Sequence, residues 1–200
     1  MSRQLRLATR RDVKELSATM ARAFHDDPVM GFMLPSEHAA RLPRLFTAMA
    51  LSQYLRYRAS ELVTSDGKVI GCALWAPPGG WHQSQPRQLL SLPRFIRALG
   101  PQLPTASLVA SELARRHPSE PHWYLSAIGV DPANQGSGVG AALLRSRLAG
   151  CDQAGLPAYL ESSKESNIDF YQRFGFAVTE QYPVAPGGPS AWSMWREPPG

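Results

Sequence analysis

The segment NQGSGVGAALL, residues 134–144, decides how the chain is interpreted. It has glycine at three alternate positions, Gly136, Gly138 and Gly140, and then becomes apolar at helical spacing. Because a turn alone needs fewer glycines, the pattern predicts a backbone that a ligand approaches closely where a helix begins. The free N–H groups and the positive dipole end of such a helix attract phosphate. A tight turn with close packing of the helix on a sheet is the alternative.

The residues on either side of this segment predict a strand before it and another after it. PHWYLSAIGVDP contains a strand, Trp123–Val130, which Pro132 stops, and LPAYLES contains a strand over Ala158–Ser162. The order strand, glycine loop, helix, strand is a crossover unit. It predicts that these two strands are parallel.

Shorter signals predict the elements in the first part of the chain. Thr9 with Asp12 resembles a capping box, which opens a helix that ends near Pro28. Apolar residues at helical spacing then predict a second helical segment from about Glu37 to Tyr57.

Turn residues predict the remaining elements. Asp66-Gly67 between two β-rich runs indicates a hairpin. Pro101 and Pro104 divide the next apolar stretch into two short helices. Residues 176–184 and 190–197 alternate in the manner of strands and predict a closing antiparallel pair.

Two common phosphate-binding motifs do not match the glycine segment. A Walker loop requires Gly-Lys-Ser/Thr, and the segment has no such lysine. The dinucleotide fingerprint Gly-x-Gly-x-x-Gly is not matched either. Glu161, at the end of the following strand, nevertheless lies where that motif has its ribose-binding acid, so a dinucleotide site stays a weak alternative.

Composition narrows the class of protein. The chain has 200 residues, a net charge of +5 and 44% apolar residues, which is typical of a globular protein and suits an anionic ligand. No basic block with interleaved aromatics favours nucleic acid, and no apolar run is long enough to cross a membrane. Because no leader pattern opens the chain, a cytoplasmic protein is expected. Cys72 and Cys151 lack metal-ligand spacing, so reduced thiols and no metal site are predicted.

A resemblance to a known family sharpens this interpretation. Gln135, Gly138 and Gly140 match the pattern Gln-x-x-Gly-x-Gly, and the chain resembles the GNAT family of N-acetyltransferases. The similarity covers most of the chain and is sharpest over residues 123–176, including GVDPANQGSGVG and NIDFYQRFGF. Within the family, these stretches and the terminal MWREP are most similar to puromycin N-acetyltransferase and its relatives.

The resemblance implies an α/β fold of the acyl-CoA N-acyltransferase type. Its sheet would be mixed, mostly antiparallel and twisted, flanked by helices, and its central strands would splay apart. One domain would span residues 1–200, with the cofactor-binding half at about 120–200 and the acceptor-shaping region at about 24–118.

The resemblance also implies that acetyl-CoA is the cofactor. The first predicted strand would end with a bulge, and backbone groups of Ile128 and Val130 would bind the pantetheine arm. Gly129 departs from the commoner family pattern, and a glycine within a strand is itself a bulge signal. Asn167 would contact the cofactor as well. The pyrophosphate would bind the main-chain N–H groups of the loop, namely Gln135, Gly136, Ser137, Gly138, Val139 and Gly140.

The catalytic groups are implied in the same way. Tyr171 shares a helix face with Asn167 and would lie near the cofactor sulfur, where it would protonate the leaving thiolate as general acid. A surface hydroxyl is the alternative for this side chain. Glu161, at a strand end, is the candidate general base or amine anchor, against a solvated strand end.

Further side chains are candidates for the acceptor side and for the cofactor phosphates. His25, Asp26 and Asp27 follow the first helix, where helix-end and turn roles are favoured, and His122 and Tyr124 are candidate proton carriers. Three tryptophans and two arginines complete the set: an aromatic acceptor would meet Trp75, Trp81 or Trp123, and the 3′-phosphate of the cofactor would meet Arg145 or Arg147.

The predicted reaction is direct transfer of the acetyl group of acetyl-CoA to a primary amine of a small molecule in a ternary complex. A peptide or protein amine is the alternative acceptor, and a catalytically silent domain that binds acyl-CoA is the alternative outside enzymes. Neither nucleic acid nor a membrane is an expected partner, and a homodimer is compatible with the sequence.

Overall fold

A seven-stranded sheet organises the described part of the chain, which comprises residues 3–35 and 38–199 of the computed structural model. Its strand order is β1-β2-β3-β4-β5-β7-β6. The strands are β1 (Arg3–Leu7), β2 (Glu61–Ser65), β3 (Lys68–Ala76), β4 (Trp123–Val130), β5 (Ala158–Ser162), β6 (Ala177–Pro183) and β7 (Ser190–Arg196). Only the β4–β5 pair is parallel among these neighbours, so the predicted mixed, mostly antiparallel sheet and its parallel crossover are confirmed.

Helices cover both faces of the sheet. They are α1 (Val13–Ala23), α2 (Pro28–Met33), α3 (His38–Met49), α4 (Gln85–Leu99), α5 (Leu103–Arg116), α6 (Val139–Gln153) and α7 (Ile168–Gln172). Leu16 and Met20 of α1 pack with Phe46 of α3 in one buried cluster. Leu143 and Leu144 of α6 pack in the other. None of the helices in the described ranges is long and apolar enough to cross a membrane.

The two central strands separate part-way along their length. β4 pairs with β5 over Trp123–Leu125 and Ala158–Leu160, and no pairing continues from there to Val130. The β3–β4 register shifts between Leu74 and Trp75, which lie opposite Ala127 and Leu125, so the irregularity is at Ser126. The predicted splay is therefore present.

The expected bulge of β4 lies at Ser126 and not at the end of the strand, where Gly129 keeps a regular register with Cys72. A Cβ atom at Gly129 would lie 2.8 Å from Ala23 Cβ and 2.9 Å from Met20 Sδ. Both neighbours belong to α1, so close approach of this helix, and not a bulge, explains the glycine.

Several local predictions are confirmed. Thr9 donates from its backbone N–H and its hydroxyl to Asp12 Oδ2, at 2.8 and 2.7 Å. Asp66 and Gly67 form the turn between β2 and β3 with φ of 49° and 79°, as a two-residue hairpin turn requires. Cys72 and Cys151 are buried free thiols.

The second helical segment is helical as far as Tyr57, as predicted, but it is not α-helical throughout. Glu37 lies outside the described residues, and α3 gives way to a π-helix over Ala50–Tyr54 and a 3₁₀ turn over Leu55–Tyr57. The short helix α2 was not predicted, because Pro28 was interpreted only as the end of α1. Pro28 also occupies the first turn of α2, where its missing N–H costs nothing.

Candidate active site

The glycine segment forms a left-handed turn directly before α6. Gly136 and Gly138 have φ of 72° and 83°, and Gly138 is the N-cap residue of α6. A Cβ atom at either position would meet nothing within 4 Å, so backbone conformation and not packing demands these glycines. Gly140 lies inside α6, and its Cβ would meet Phe170 Cζ at 3.4 Å and Val130 Cγ2 at 3.6 Å. The loop therefore leaves the first N–H groups of α6 uncovered by side chains.

A first cavity of about 880 Å³ lies against this loop. Ile128, Gly129 and Val130 line it from the splayed end of β4. Asn167 and Tyr171 line it from the α7 region. The loop and the start of α6 contribute Gln135, Gly136, Gly138, Val139 and Gly140. The fold thus brings together at one cavity nearly all the residues that the sequence assigned to the cofactor.

Ser137 is the exception among the assigned loop residues. Its hydroxyl donates to the Asn134 carbonyl at 2.5 Å, and its own carbonyl accepts from Arg3 Nη1 at 2.7 Å. The side chain therefore stabilises the turn and does not line the cavity.

Arginine provides positive charge at the first cavity. Arg145 of α6 and Arg173 both line it. Arg147 instead donates to the Ala59 carbonyl at 2.7 Å and lies 3.4 Å from Glu61. Of the two arginines that the sequence nominated, Arg145 alone faces this cavity, because positions two apart point to different sides of a helix.

The residues that follow α1 close one side of the first cavity. His25 and Asp26 line it, and Asp26 is paired with Lys164 at 2.6 Å. Asp27 is buried, accepts from the Met30 N–H at 2.9 Å as the N-cap of α2, and accepts a hydrogen bond from Ser163. Helix-end roles thus account for Asp27, and this segment borders the first cavity and not a separate acceptor site.

Tyr171 is buried at the first cavity with 8% of its surface exposed. Burial raises its pKa well above the ordinary tyrosine value, and the nearby charge of Asp27 raises the pKa further. A phenol in this environment keeps its proton throughout the physiological range and retains it as a donor.

A second cavity of about 540 Å³ lies between helices α2 to α5 and the sheet. Tyr124 and Ser126 of β4 and Glu161 of β5 line its sheet side. The first cavity touches β4 at Ile128, so the linings of the two cavities adjoin along one strand, with Ala127 between them. The linings of the two cavities therefore lie side by side where β4 and β5 separate, a place called here the junction of the two cavities.

Glu161 is a buried carboxylate at this junction. Its side chain is 7% exposed, and its Oε1 accepts no hydrogen bond from any residue that the structure describes. The nearest basic nitrogen is His117 Nδ1, at 3.8 Å. Burial raises the pKa of Tyr124 and of Tyr159 well above the usual range, and the negative charge of Glu161 and the hydrogen bonds of both phenols to its carboxylate raise both further. The carboxylate therefore has protonated phenols around it and no paired lysine or arginine among its described neighbours.

Comparison with known proteins shows the family. The pattern of the Acetyltransferase (GNAT) family matches residues 32–176, which is most of the chain. The chain belongs to the GNAT family. This GNAT protein is 30% identical to an uncharacterized N-acetyltransferase of Schizosaccharomyces pombe over 182 residues, which are 85% of this chain and 72% of that protein. A mycothiol acetyltransferase of Mycobacteroides abscessus is 32% identical over 112 residues, which are 52% of this chain and 38% of that relative.

Solved structures agree with this membership. A structure described as histone acetyltransferase HPA2 and related acetyltransferase, from Corynebacterium glutamicum, has a TM-score of 0.76 at 27% identity and covers 100% of this chain and 98% of its own. A polyamine N-acetyltransferase of Drosophila melanogaster has a TM-score of 0.65 at 15% identity over 98% and 100% of the two chains, and shares the fold. The relatives identify the chain as an N-acetyltransferase, and the predicted fold class is confirmed.

The sequence missed His117, which lies beside Glu161 in this GNAT protein. Trp81 stacks on its ring at 3.8 Å between centroids. His122 Nδ1 donates to the Glu120 carbonyl at 2.6 Å, so neutral His122 accepts at Nε2 from His117 Nε2, at 2.9 Å. Burial lowers the pKa of His122, which favours this neutral form. His117 Nδ1 is then the ring nitrogen that faces the carboxylate, and only the tertiary fold reveals it.

The predicted aromatic walls are only partly correct. Trp81 is borne on a loop and lines the second cavity, as expected. Trp75 is fully buried in the core on the α6 side, and Trp123 packs against the same core, so neither meets an acceptor there. Tyr124 lines the second cavity. His122 does not line it and instead is hydrogen-bonded to His117, which does.

Proposed function

We propose that this GNAT protein transfers the acetyl group of acetyl-CoA to a primary amine of a small molecule. The observation that carries this proposal is the junction of two cavities at the splay of β4 and β5. One cavity presents a protonated phenol, Tyr171, and the other a buried carboxylate, Glu161. An acid on one side and a base on the other are what amide formation from a thioester requires.

The first cavity fits acetyl-CoA by the chemistry of its donors. The open turn at Gly136 and Gly138 and the first N–H groups of α6 suit a pyrophosphate, with Arg145 and Arg173 available to further phosphates. Ile128 offers backbone groups on the unpaired side of β4 to an extended amide-containing arm, as do Gly129 and Val130. When bound, acetyl-CoA supplies the acetyl group as an activated thioester.

The side chains at the junction would handle the two protons of the reaction. Tyr171 holds a phenolic proton that it can donate to a departing thiolate. Glu161 can bind the acceptor as an ammonium ion and take its proton before the amine attacks. His117 Nδ1 lies next to Glu161 and offers a second place for that proton.

The second cavity is the proposed acceptor site. The likeness to puromycin N-acetyltransferase supports an aminonucleoside or a similar antibiotic as the first acceptor to test. A protein amine is less favoured, because the cavity is built from the helices of this chain around a space of about 540 Å³.

Free-thiol release from acetyl-CoA tests the proposal directly. The purified chain is incubated with acetyl-CoA and a panel of small primary amines, and product is confirmed by mass spectrometry. Amine-dependent release is expected for some members of the panel. Release with peptide amines alone, or binding of coenzyme A with no release on any amine, would contradict it.

A further inference from the structure

The walls of the second cavity that the helices provide are mostly apolar. Four helices, α2 to α5, contribute aliphatic and aromatic side chains that Trp81 joins from its loop. These side chains include Met30, Met33, Leu45, Phe95, Leu103 and Val109. Such a lining stabilises a ligand by removing apolar surface from water, at roughly 25 cal/mol per Å².

Charge is almost absent from the same walls. Among the described residues that line the cavity there is no lysine, arginine or aspartate, and its titratable groups other than tyrosine are Glu161, His82 and His117. The neutral polar residues of the lining include Gln53, Ser91 and Ser107. The Glu161 side chain is 7% exposed, its Oε1 accepts no hydrogen bond in the described structure, and the groups that hydrogen-bond to its carboxylate, Tyr124 and Tyr159, are neutral. A ligand ammonium group would supply the counter-charge that these phenols do not.

We propose that this cavity selects a primary monoamine carried on a bulky apolar or aromatic body, with the ammonium group at Glu161. One carboxylate balances one positive charge, and the apolar walls accept the remainder of the ligand. A second ammonium group would lose its hydration without gaining a counter-charge. A carboxylate or phosphate on the ligand would meet the like charge of Glu161 and no lysine or arginine among the described walls, whose basic groups are the imidazoles of His82 and His117.

This selectivity separates the protein from acetyltransferases that act on polyamines. A polyamine carries several cations on a slender chain, which suits an acidic site and would leave much of this apolar wall unused. The volume of about 540 Å³ is in the range of sites that enclose drug-sized molecules. The inference rests on the proposed function for its catalytic meaning, but ligand binding tests it independently.

Calorimetric titration in the presence of coenzyme A measures the selectivity. The probes are 2-phenylethylamine, agmatine, and phenylalanine, which adds a carboxylate to the first probe. We expect 2-phenylethylamine to bind about tenfold or more tightly than either of the others, because it alone pairs apolar burial with one positive charge. Equal or tighter binding of agmatine or phenylalanine would overturn the inference.

A pair of matched variants tests the place of the ammonium group. Glu161→Gln and Glu120→Gln each remove one negative charge and keep the side-chain size, and Glu120 is exposed outside the cavity. Glu161→Gln should weaken 2-phenylethylamine about tenfold or more, since a hydrogen bond to a charged group is lost. Glu120→Gln should leave its affinity unchanged. Neutral 2-phenylethanol should bind both variants equally, whereas an unchanged affinity for the amine in Glu161→Gln would overturn the inference.

The assays separate this inference from the proposed function. Tight binding of 2-phenylethylamine without thiol release would refute acetyl transfer and leave the selectivity intact. Acetyl transfer to agmatine at the same efficiency as to 2-phenylethylamine would refute the selectivity and leave acetyl transfer intact.

Discussion

Tyr171 and Glu161, the two proposed catalytic residues, both have buried side chains. Tyr171 packs with the buried cluster on the α6 side of the sheet, where its phenol keeps its proton. Glu161 lies in the cavity of helices α2 to α5, where no lysine or arginine among the described residues neutralises it. The same protein interior therefore maintains a neutral phenol on α7 and, on β5, a carboxylate without a lysine or arginine partner among the described residues.

Replacing Tyr171 by phenylalanine should remove the proposed acid and little packing. Turnover is expected to fall about 10²- to 10⁴-fold, with the affinity for coenzyme A little changed. Tyr182→Phe is the matched control, since Tyr182 is also a buried tyrosine and lines neither cavity. Steady-state kinetics and calorimetry measure both quantities. Wild-type turnover in Tyr171→Phe would exclude the acid role.

The raised pKa of Tyr171 sets the expected pH dependence. The protonated phenol is the active form. Burial raises the pKa of Tyr171 above the ordinary value of 10.0, and the nearby charge of Asp27 raises it further. The rate at saturating substrate should therefore not decline as the pH rises from 7 to about 10. A decline over that interval which is absent in Tyr171→Phe would contradict the assignment.

Replacing Glu161 by glutamine should affect both acceptor binding and proton removal. The acceptor KM is expected to rise, and turnover is expected to fall and then to recover partly as pH rises, because free amine becomes abundant. Kinetics across pH for Glu161→Gln, with Glu120→Gln as control, measure this. Identical pH profiles in Glu161→Gln and the wild type would remove Glu161 from the reaction.

At the scale of elements, the contact between α1 and β4 depends on one missing side chain. Gly129 lets Met20 and Ala23 of α1 approach the splayed end of β4. Ala23 and Gly129 also line the first cavity. This approach places the end of α1 at the first cavity, which His25 and Asp26 also line.

Gly129→Ala should therefore destabilise the protein. Its Cβ would lie within 3.0 Å of atoms on two side chains of α1, and such overpacking costs about 1–3 kcal/mol. Gly150→Ala in α6 is the control, because its Cβ would meet nothing within 4 Å and alanine favours a helix by up to about 1 kcal/mol. Urea unfolding of both variants measures the free energies. A Gly129→Ala protein as stable as Gly150→Ala would show that α1 does not need this close approach.

At the scale of the whole molecule, the first cavity joins parts of the chain that are distant in sequence. The predicted cofactor-binding half supplies most of its lining, but residues 23–26 contribute as well. The second cavity draws on residues from Val29 to Tyr124 and then on Ser126 and Glu161. A ligand bound in either cavity therefore contacts distant parts of the chain and should stabilise the folded state.

Coenzyme A should raise the free energy of unfolding by about 2.7 kcal/mol at one hundred times its Kd. Gly138→Glu should abolish this effect, since bulk and negative charge would occupy the turn that is proposed to bind pyrophosphate. Gly187→Glu is the matched control: Gly187 also has a left-handed φ, 71°, and open space around its Cβ, but it lies away from both cavities. Thermal melts with and without coenzyme A measure the shift. A full shift in Gly138→Glu would refute the phosphate site.

The sequence by itself determined the elements around the glycine segment and the parallel crossover that joins β4, α6 and β5. Local chemistry carries this information, because glycines with left-handed φ, prolines and alternating apolar residues act over a few positions. The resemblance of its motifs to the GNAT family also nominated many of the residues that line the first cavity.

Only the tertiary structure decided the second cavity and the surroundings of Glu161. His117, Trp81 and the helices α2 to α5 reach the carboxylate from segments that lie far from it in sequence, and no local pattern reports such contacts. The same reason explains the errors at Gly129 and at Trp75: a partner helix set the need for glycine, and the fold placed the tryptophan in the core. Local spacing specifies which elements form, whereas long-range packing specifies which side chains meet.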